Sequence, residues 1–279
     1  MIADKPRRAW VRAARAIAAI TVLIVMFRWF EHSQVYHPTR GIEPVDAVTR
    51  ALFEDVYFNT SDGVKLNAWF FPAPAGSPRA GLAFLVCHGN GGNISHRLEM
   101  CLTLQAGTGA NVLVFDYRGY GLSEGRPGEE GTYRDAQAAF GWLRQRGITN
   151  VIAFGESLGG GIASELALRE PLAAIILHST FTSIPDIGKE IYPWLPVRLI
   201  STIRYDTFSK LPRITVPVLV MHSREDGLAR FHHAEKNFAA ANEPKLFAEL
   251  RGDHNDASWE QPEFMAGIAE LLRRVEQSP

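Results

Sequence analysis

Beyond residue 50 the chain alternates short apolar runs with longer segments of helical period. Residues 53–60 and 64–71 read as two strands, and the Ser61-Asp62-Gly63 between them is a hairpin signal. A Pro/Ala/Gly loop fills residues 72–78. After it the pattern predicts a buried strand over 80–87, a helix over 94–105, a strand over 111–115 and a helix over 132–146. That helix carries Tyr133, Ala136, Phe140 and Leu143 on one face. Strands follow at 151–154, 172–177, 216–221 and 245–250, with helices after the first of these, over 229–241 and over 256–276. The last helix puts Phe264, Ile268, Leu271 and Val275 on one stripe. A hairpin followed by repeated β-α units predicts an α/β fold with a mainly parallel sheet and helices on both faces. No internal repeat or low-complexity tract interrupts it.

The first thirty residues follow another pattern. Lys5, Arg7, Arg8, Arg12 and Arg15 precede an unbroken apolar run over 16–27, and Arg28, Trp29 and Phe30 follow it. A stretch over 13–30 makes a helix of about 27 Å, slightly short of a hydrocarbon core of about 30 Å. Arg15 and Arg28 can snorkel to the interfaces, and Trp29 suits headgroup level. Residues 28–40 contain no small-x-small cleavage site, so an uncleaved anchor is favoured over a removed leader or an interfacial helix. The expected organisation is an anchor over 1–32, a linker over 33–50 and one catalytic domain over 51–279, with a small cap insert at about 181–210. The Lys/Arg excess before the run keeps that side cytoplasmic and places the domain outside, in a bacterial host the periplasm.

Composition changes this picture little. The 279 residues are 46% hydrophobic and carry a net charge of −1, which gives no general reason to expect nucleic-acid binding. Cys87 and Cys101, on a core strand and a helix, read as small buried hydrophobes; there is no disulfide framework and no zinc spacing.

The candidate chemistry lies at strand ends. Val151-Ile-Ala-Phe runs into Gly155-Glu-Ser-Leu-Gly159, a G-x-S-x-G in the strand, turn and helix context that presents Ser157 as a nucleophile. The strand over 216–221 leads to Asp226, and the one over 245–250 leads to His254, in the chain order acid then base. Asp206 is the second choice for the acid; Asp253 and Asp256 flank His254 too closely to reach its far ring nitrogen, and their ordinary role is capping. The remaining histidines read as surface or structural. Residues 80–87 end in His88-Gly-Asn-Gly-Gly-Asn93, a Gly-rich bend placed to supply oxyanion donors: the Asn90 N–H, with Gly91 second, alongside the Leu158 N–H. A phosphate-cradling role lacks the Lys-Ser/Thr of a P-loop. The Asp116 to Gly125 segment reads as a structural floor, with Asp116 and Arg118 as a candidate ion pair.

Taken together these motifs resemble the α/β-hydrolase superfamily. More narrowly they resemble membrane-anchored serine hydrolases related to protein depalmitoylases and to dienelactone-hydrolase-like bacterial proteins. The residues that carry the resemblance are His88 to Asn93 with Ile94-Ser-His-Arg97, Phe115 to Gly125, Gly155 to Gly160 and Gly252 to Asp256. It covers roughly residues 50–275 and departs at the acid loop, where His222-Ser-Arg-Glu-Asp226 lacks the usual Gly and later Pro. It implies the α/β-hydrolase fold and a carboxylic ester or thioester hydrolase working through Ser157, His254 and Asp226, on lipophilic acyl substrates beside a membrane. No metal or organic cofactor is required. The insert after residue 179, rich in apolar residues and proline, is expected to supply an acyl-chain pocket from Phe181, Trp194 and Leu195, against simple packing on the domain. An amidase or peptidase, and a non-catalytic interaction module, are the alternatives.

Overall fold

The computed structural model describes residues 5–256 and 258–277, and the chain divides into two units, one ending at His37 and one beginning at Pro38. The first unit is a single helix, α1 (Lys5–Val35), and the start of the expected anchor, Met1 to Asp4, lies outside the described residues. Its stretch from Trp10 to Val35, 26 residues, contains an 18-residue window of mean hydropathy 1.8 and is long and apolar enough to cross a membrane. An N-terminal signal sequence fits the same description. Ile17, Leu23, Val25 and Met26 are all exposed, as the apolar side chains of a lipid-facing helix are.

The second unit is built on an eight-stranded sheet: β1 (Glu54–Asn59), β2 (Lys65–Phe71), β3 (Leu82–Cys87), β4 (Asn111–Phe115), β5 (Asn150–Glu156), β6 (Ala174–His178), β7 (Val218–Ser223) and β8 (Lys245–Leu250). Their spatial order is β8-β7-β6-β5-β3-β4-β2-β1. The β1–β2 hairpin and the β2–β4 pair are antiparallel, and every other pair is parallel. At the sheet centre Cys87 is in register with Gly155, and one strand further Glu156 is in register with His178. β3, β4, β6 and β7 are buried along their whole length, which explains their continuous apolar runs.

The helices α2 (Leu98–Thr108), α3 (Glu129–Gln145), α4 (Leu158–Arg169), α5 (Ile184–Ile191), α6 (His232–Ala240) and α7 (Pro262–Gln277) complete the unit. Phe264, Ile268, Leu271 and Leu272 of α7 close one core with Phe84, Phe154 and Ile176 of the sheet. Cys87 and Cys101 are buried and unpaired.

Boundaries moved where local chemistry was strong. The helical stretch expected over 94–105 splits into a 3-10 turn, Ile94–Arg97, capped by the Asn93 side chain, and α2, which stops at Gly109 with φ 70°. The last helix starts at Pro262, whose missing N–H is no loss in a first turn. Residues 39–50, expected as linker, begin as part of the second unit: Thr39 N–H bonds Gly92 O at 3.0 Å, and Gly41 N–H bonds Gly121 O at 3.2 Å. The insert between β6 and β7 is small, consisting of α5 and three short turns, Val197–Ile200, Thr207–Lys210 and the 3-10 turn Leu211–Arg213.

The Gly-rich start of α4 is a packing requirement. A Cβ on Gly159 would fall 1.9 Å from the carbonyl oxygen of Cys87, whereas one on Gly141, inside α3, would meet nothing within 4 Å. Gly159→Ala is therefore expected to lower the thermal midpoint by several degrees or prevent folding. Gly141→Ala should raise stability by about 0.8–1.0 kcal/mol, the helix-propensity difference. Thermal and denaturant unfolding of both variants checks this; a neutral Gly159→Ala would refute the close β3–α4 contact.

Candidate active site

β5 runs directly into the turn that carries Ser157. The residue has φ 51° and ψ −112°, a region L-residues rarely occupy. Two glycines make it possible: besides Gly159, a Cβ on Gly155 would fall 2.5 Å from the Gly160 backbone. Ser157 N–H bonds His178 O at 2.8 Å, which ties the turn to the end of β6. Leu158 is the first residue of α4, where backbone N–H groups have no carbonyl of their own helix to bond.

The loops after β7 and β8 bring two more side chains to this turn. His254 Nε2 lies 3.0 Å from Ser157 Oγ, and His254 Nδ1 lies 2.7 Å from Asp226 Oδ2. A carboxylate can only accept, so Nδ1 carries the proton and Nε2 accepts from the serine hydroxyl. Asp226 is buried, and its Oδ1 accepts from Leu228 N–H at 3.0 Å and Ala229 N–H at 2.7 Å. The loop is thus closed by backbone bonds to the acid itself, without the Gly and Pro missing from it.

The other carboxylates take structural places. Asp206 accepts from Ser209 N–H at 3.0 Å and caps a helical turn. Asp253 Oδ1 accepts from both Gly227 N–H and His254 N–H, each at 2.8 Å, stitching the acid loop to the histidine loop. Those two N–H groups hold its carboxyl below the ordinary range. Asp116 and Arg118, the candidate ion pair, do not pair. Arg118 Nε donates to Asp135 at 2.9 Å and its Nη atoms donate to Asp62, while Asp116 accepts from Ile94 N–H at 3.0 Å.

The bend after β3 is held by its carbonyls. His88 O accepts from Tyr117 Oη at 2.7 Å, Gly89 O from His88 Nδ1 at 2.7 Å, and Asn90 O from Tyr120 Oη at 2.8 Å. Gly91 O accepts from Arg97 Nη1 at 3.1 Å, and Gly92 O from Thr39 N–H at 3.0 Å. Five successive carbonyls are therefore engaged. A trans peptide points its N–H opposite its C=O, so the Asn90 and Gly91 N–H groups face away from those partners. Gly89 to Gly92 line a cleft of about 310 Å³ together with Ser157 and His254.

Arg97 and Glu156 form the wall of that cleft, and sequence reasoning gave neither a role. Arg97 donates to Glu156 from Nε at 3.0 Å and Nη2 at 2.9 Å, with side-chain exposures of 14% and 24%. Burial opposes the carboxylate charge, but the guanidinium outweighs it and draws Glu156 down to about 2. The pair ties the oxyanion-type bend, through Gly91, to the residue preceding Ser157. The only sequence signal was a charged x in G-x-S-x-G, which by itself names no partner.

The expected acyl pocket does not form at Ser157. Phe181 is 4% exposed and packed away, while Trp194 is 76% exposed. Trp194 and Leu195 line a separate open depression with Lys189, Arg198 and Leu199. The residues lining the cleft at Ser157 include none from the insert, and the cleft's side chains, His96, Arg97, Glu156 and Asn255 among them, are polar.

Comparison with known proteins agrees with this architecture. A family model described as alpha/beta hydrolase fold matches residues 83–203. An uncharacterized protein of Mycobacterium tuberculosis is 37% identical, over 94% of each chain. The alpha/beta hydrolase domain-containing protein WAV2 of Arabidopsis thaliana is 31% identical, over 87% of this chain and 85% of that one. Among solved structures, an esterase of Pyrococcus furiosus superposes with a TM-score of 0.70 at 19% identity, covering 87% of this chain and 98% of the other.

Beneath the bend, burial and the charge of Arg97 push His88 down to about 3, so the imidazole is neutral. Burial pushes Asp116 up to about 8 against its bond from Ile94 N–H and the charge of Arg97, and its Oδ1 lies 3.6 Å from His88 Nε2. A carboxyl raised on folding binds its proton more tightly in the folded chain, so stability falls as pH rises from about 4 toward about 8. Asp116→Asn should remove this contribution, on the order of 1 kcal/mol per pH unit. The difference between wild type and variant in denaturant midpoints should therefore widen from about pH 5 to about pH 8. A pH-independent difference would contradict the neutral carboxyl.

Proposed function

The chain belongs to the α/β-hydrolase family, and on that premise we propose that it is a serine hydrolase of carboxylic esters or thioesters. The observation that carries this reading is the hydrogen-bonded line from Ser157 Oγ through His254 to Asp226, at 3.0 and 2.7 Å. Ser157 Oγ attacks the acyl carbonyl while His254 Nε2 takes its proton, and Asp226 holds the tautomer and stabilises the imidazolium. The N–H groups of Asn90 and Leu158 receive the oxyanion; loss of one such donor costs about 2.7–4 kcal/mol of barrier. His254 then protonates the leaving alcohol or thiol, and with the same nitrogen activates the water that releases the acyl group.

The polar wall of Arg97, Glu156 and His96 in a cleft of about 310 Å³ favours a compact acyl group over a long chain. This replaces the lipophilic acyl pocket expected from the insert. The site works beside a membrane, with α1 as its anchor. Lys5, Arg7, Arg8, Arg12 and Arg15 lie on the N-terminal side of the apolar run, which puts that end in the cytoplasm and the catalytic unit on the extracytoplasmic side.

Ser157→Ala is expected to abolish turnover of p-nitrophenyl esters and acyl-thioesters with the thermal midpoint kept. Asp226→Asn should lower kcat by roughly 10⁴. Wild-type kcat/KM should not grow from acetyl to octanoyl substrates. A gain approaching about 0.8 kcal/mol per methylene would instead demand an apolar channel at Ser157. Turnover surviving in Ser157→Ala would refute the nucleophile.

For orientation, alkaline phosphatase fused after Pro279 should be active and green fluorescent protein dark in a bacterial host. The reverse pair would place the catalytic unit in the cytoplasm.

A further inference from the structure

Away from the cleft, the end of α5 meets the start of α6 through Glu190, His232 and His233. Glu190 Oε1 lies 2.9 Å from His232 Nε2 and 3.3 Å from His233 Nε2, and one ligand atom from each residue falls within 4.8 Å of the others. His233 is fully buried, yet its Nε2 has no hydrogen-bond partner, nor has the buried Oε2 of Glu190. Native folds rarely leave buried polar atoms unpaired, and a bound ion is one way such atoms are satisfied.

The far nitrogen of His233 sharpens the argument. Its Nδ1 lies 2.9 Å from Thr182 Oγ1, and that hydroxyl donates to Asp186 Oδ2 at 2.8 Å. With its one proton given to Asp186, Oγ1 accepts from an Nδ1–H. In that tautomer Nε2 is a lone pair facing a carboxylate, two acceptors 3.3 Å apart, an arrangement that a cation between them would satisfy. A chain from imidazole N–H to hydroxyl to carboxylate is also the outer arrangement that orients a metal-bound histidine. Two contacts oppose it. Thr182 N–H approaches the same Nδ1 at 3.2 Å and favours the other tautomer, and Arg230 Nε lies 3.8 Å from Glu190 Oε2. A cation at Nε2 selects the Nδ1–H form, and Arg230, 66% exposed, is held weakly.

We propose that Glu190, His232 and His233 bind a divalent transition cation, zinc foremost, through two imidazole nitrogens and one carboxylate, with water completing the shell. Zinc takes such N/O sets, whereas magnesium and calcium want oxygen donors. The ion needs ligands about 2.0–2.2 Å away, a closure that the partly exposed His232 can supply by rotation. It would clamp the insert between β6 and β7 onto the start of α6, which follows the loop that carries Asp226. It takes no part in the ester chemistry, and adjacent histidines 42 residues from Glu190 show no metal-binding spacing in the sequence.

The test uses the full chain in detergent, stripped with a chelator and titrated with cobalt(II), then zinc. Wild type should take up one equivalent of cobalt with the visible absorption of a low-coordinate N/O site, release it to zinc, and gain several degrees in Tm with zinc. Glu190→Gln and His232→Ala should each lose the cobalt spectrum and the zinc-dependent rise. The absence of saturable cobalt or zinc binding in wild type would overturn the site. So would binding undiminished in both variants, which would put the metal on other histidines.

Discussion

The whole catalytic unit is arranged around one backbone conformation, the positive-φ turn at Ser157. An L-residue stays there only when its surroundings leave no alternative, and here they are specific. Gly155 and Gly159 let α4 lie against the ends of β3 and β5, with no room for a Cβ at either position. The bond from Ser157 N–H to His178 O fixes the turn from the other side. Once the turn is set, the serine hydroxyl lies 3.0 Å from His254 Nε2, and α4 begins at the next residue, Leu158. Parallel strands β7 and β8 end at the same edge of the sheet, so their following loops deliver Asp226 and His254 to one point.

Electrostatics near the turn are settled by pairing and by neutralisation. Arg97 and Glu156 keep full charges because each faces the other, and they share the work of joining the bend after β3 to the elbow. His88 and Asp116, deeper and without an opposite charge in contact, are pushed to their neutral forms. A neutral His88 can still donate from Nδ1 to Gly89 O, which is what the bend needs of it. The bend is therefore held by side-chain donors on every carbonyl from His88 to Gly91. Rigid placement of N–H groups before substrate arrives is the property on which oxyanion stabilisation depends.

Much of this was legible in the sequence, for identifiable reasons. The sheet came from apolar runs whose burial on both faces leaves no ambiguity, and Ser157, Asp226 and His254, which the structure brings within hydrogen-bond distance, stood out because each follows its own strand. The hairpin was legible because Gly63 must take φ 82°. What escaped was interaction between side chains far apart in the chain. Nothing local joins Arg97 to Glu156, Asp253 to Gly227, or Arg118 to Asp62 and Asp135 rather than Asp116. The insert misled for a related reason. Apolar composition around Trp194 and Leu195 reads as a pocket, but some thirty residues carrying Pro193 and Pro196 make only α5 and three short turns, which leave that surface facing outward.

The central claim is that Ser157 is a nucleophile activated by His254. Its most direct test is covalent labelling of the full chain with a fluorophosphonate, followed by peptide mapping and by comparison with His254→Ala. The account predicts one adduct per chain, on Ser157, formed orders of magnitude more slowly in the variant. An adduct on another serine such as Ser95 or Ser123, equal labelling rates in the two proteins, or no adduct on folded wild type would contradict it.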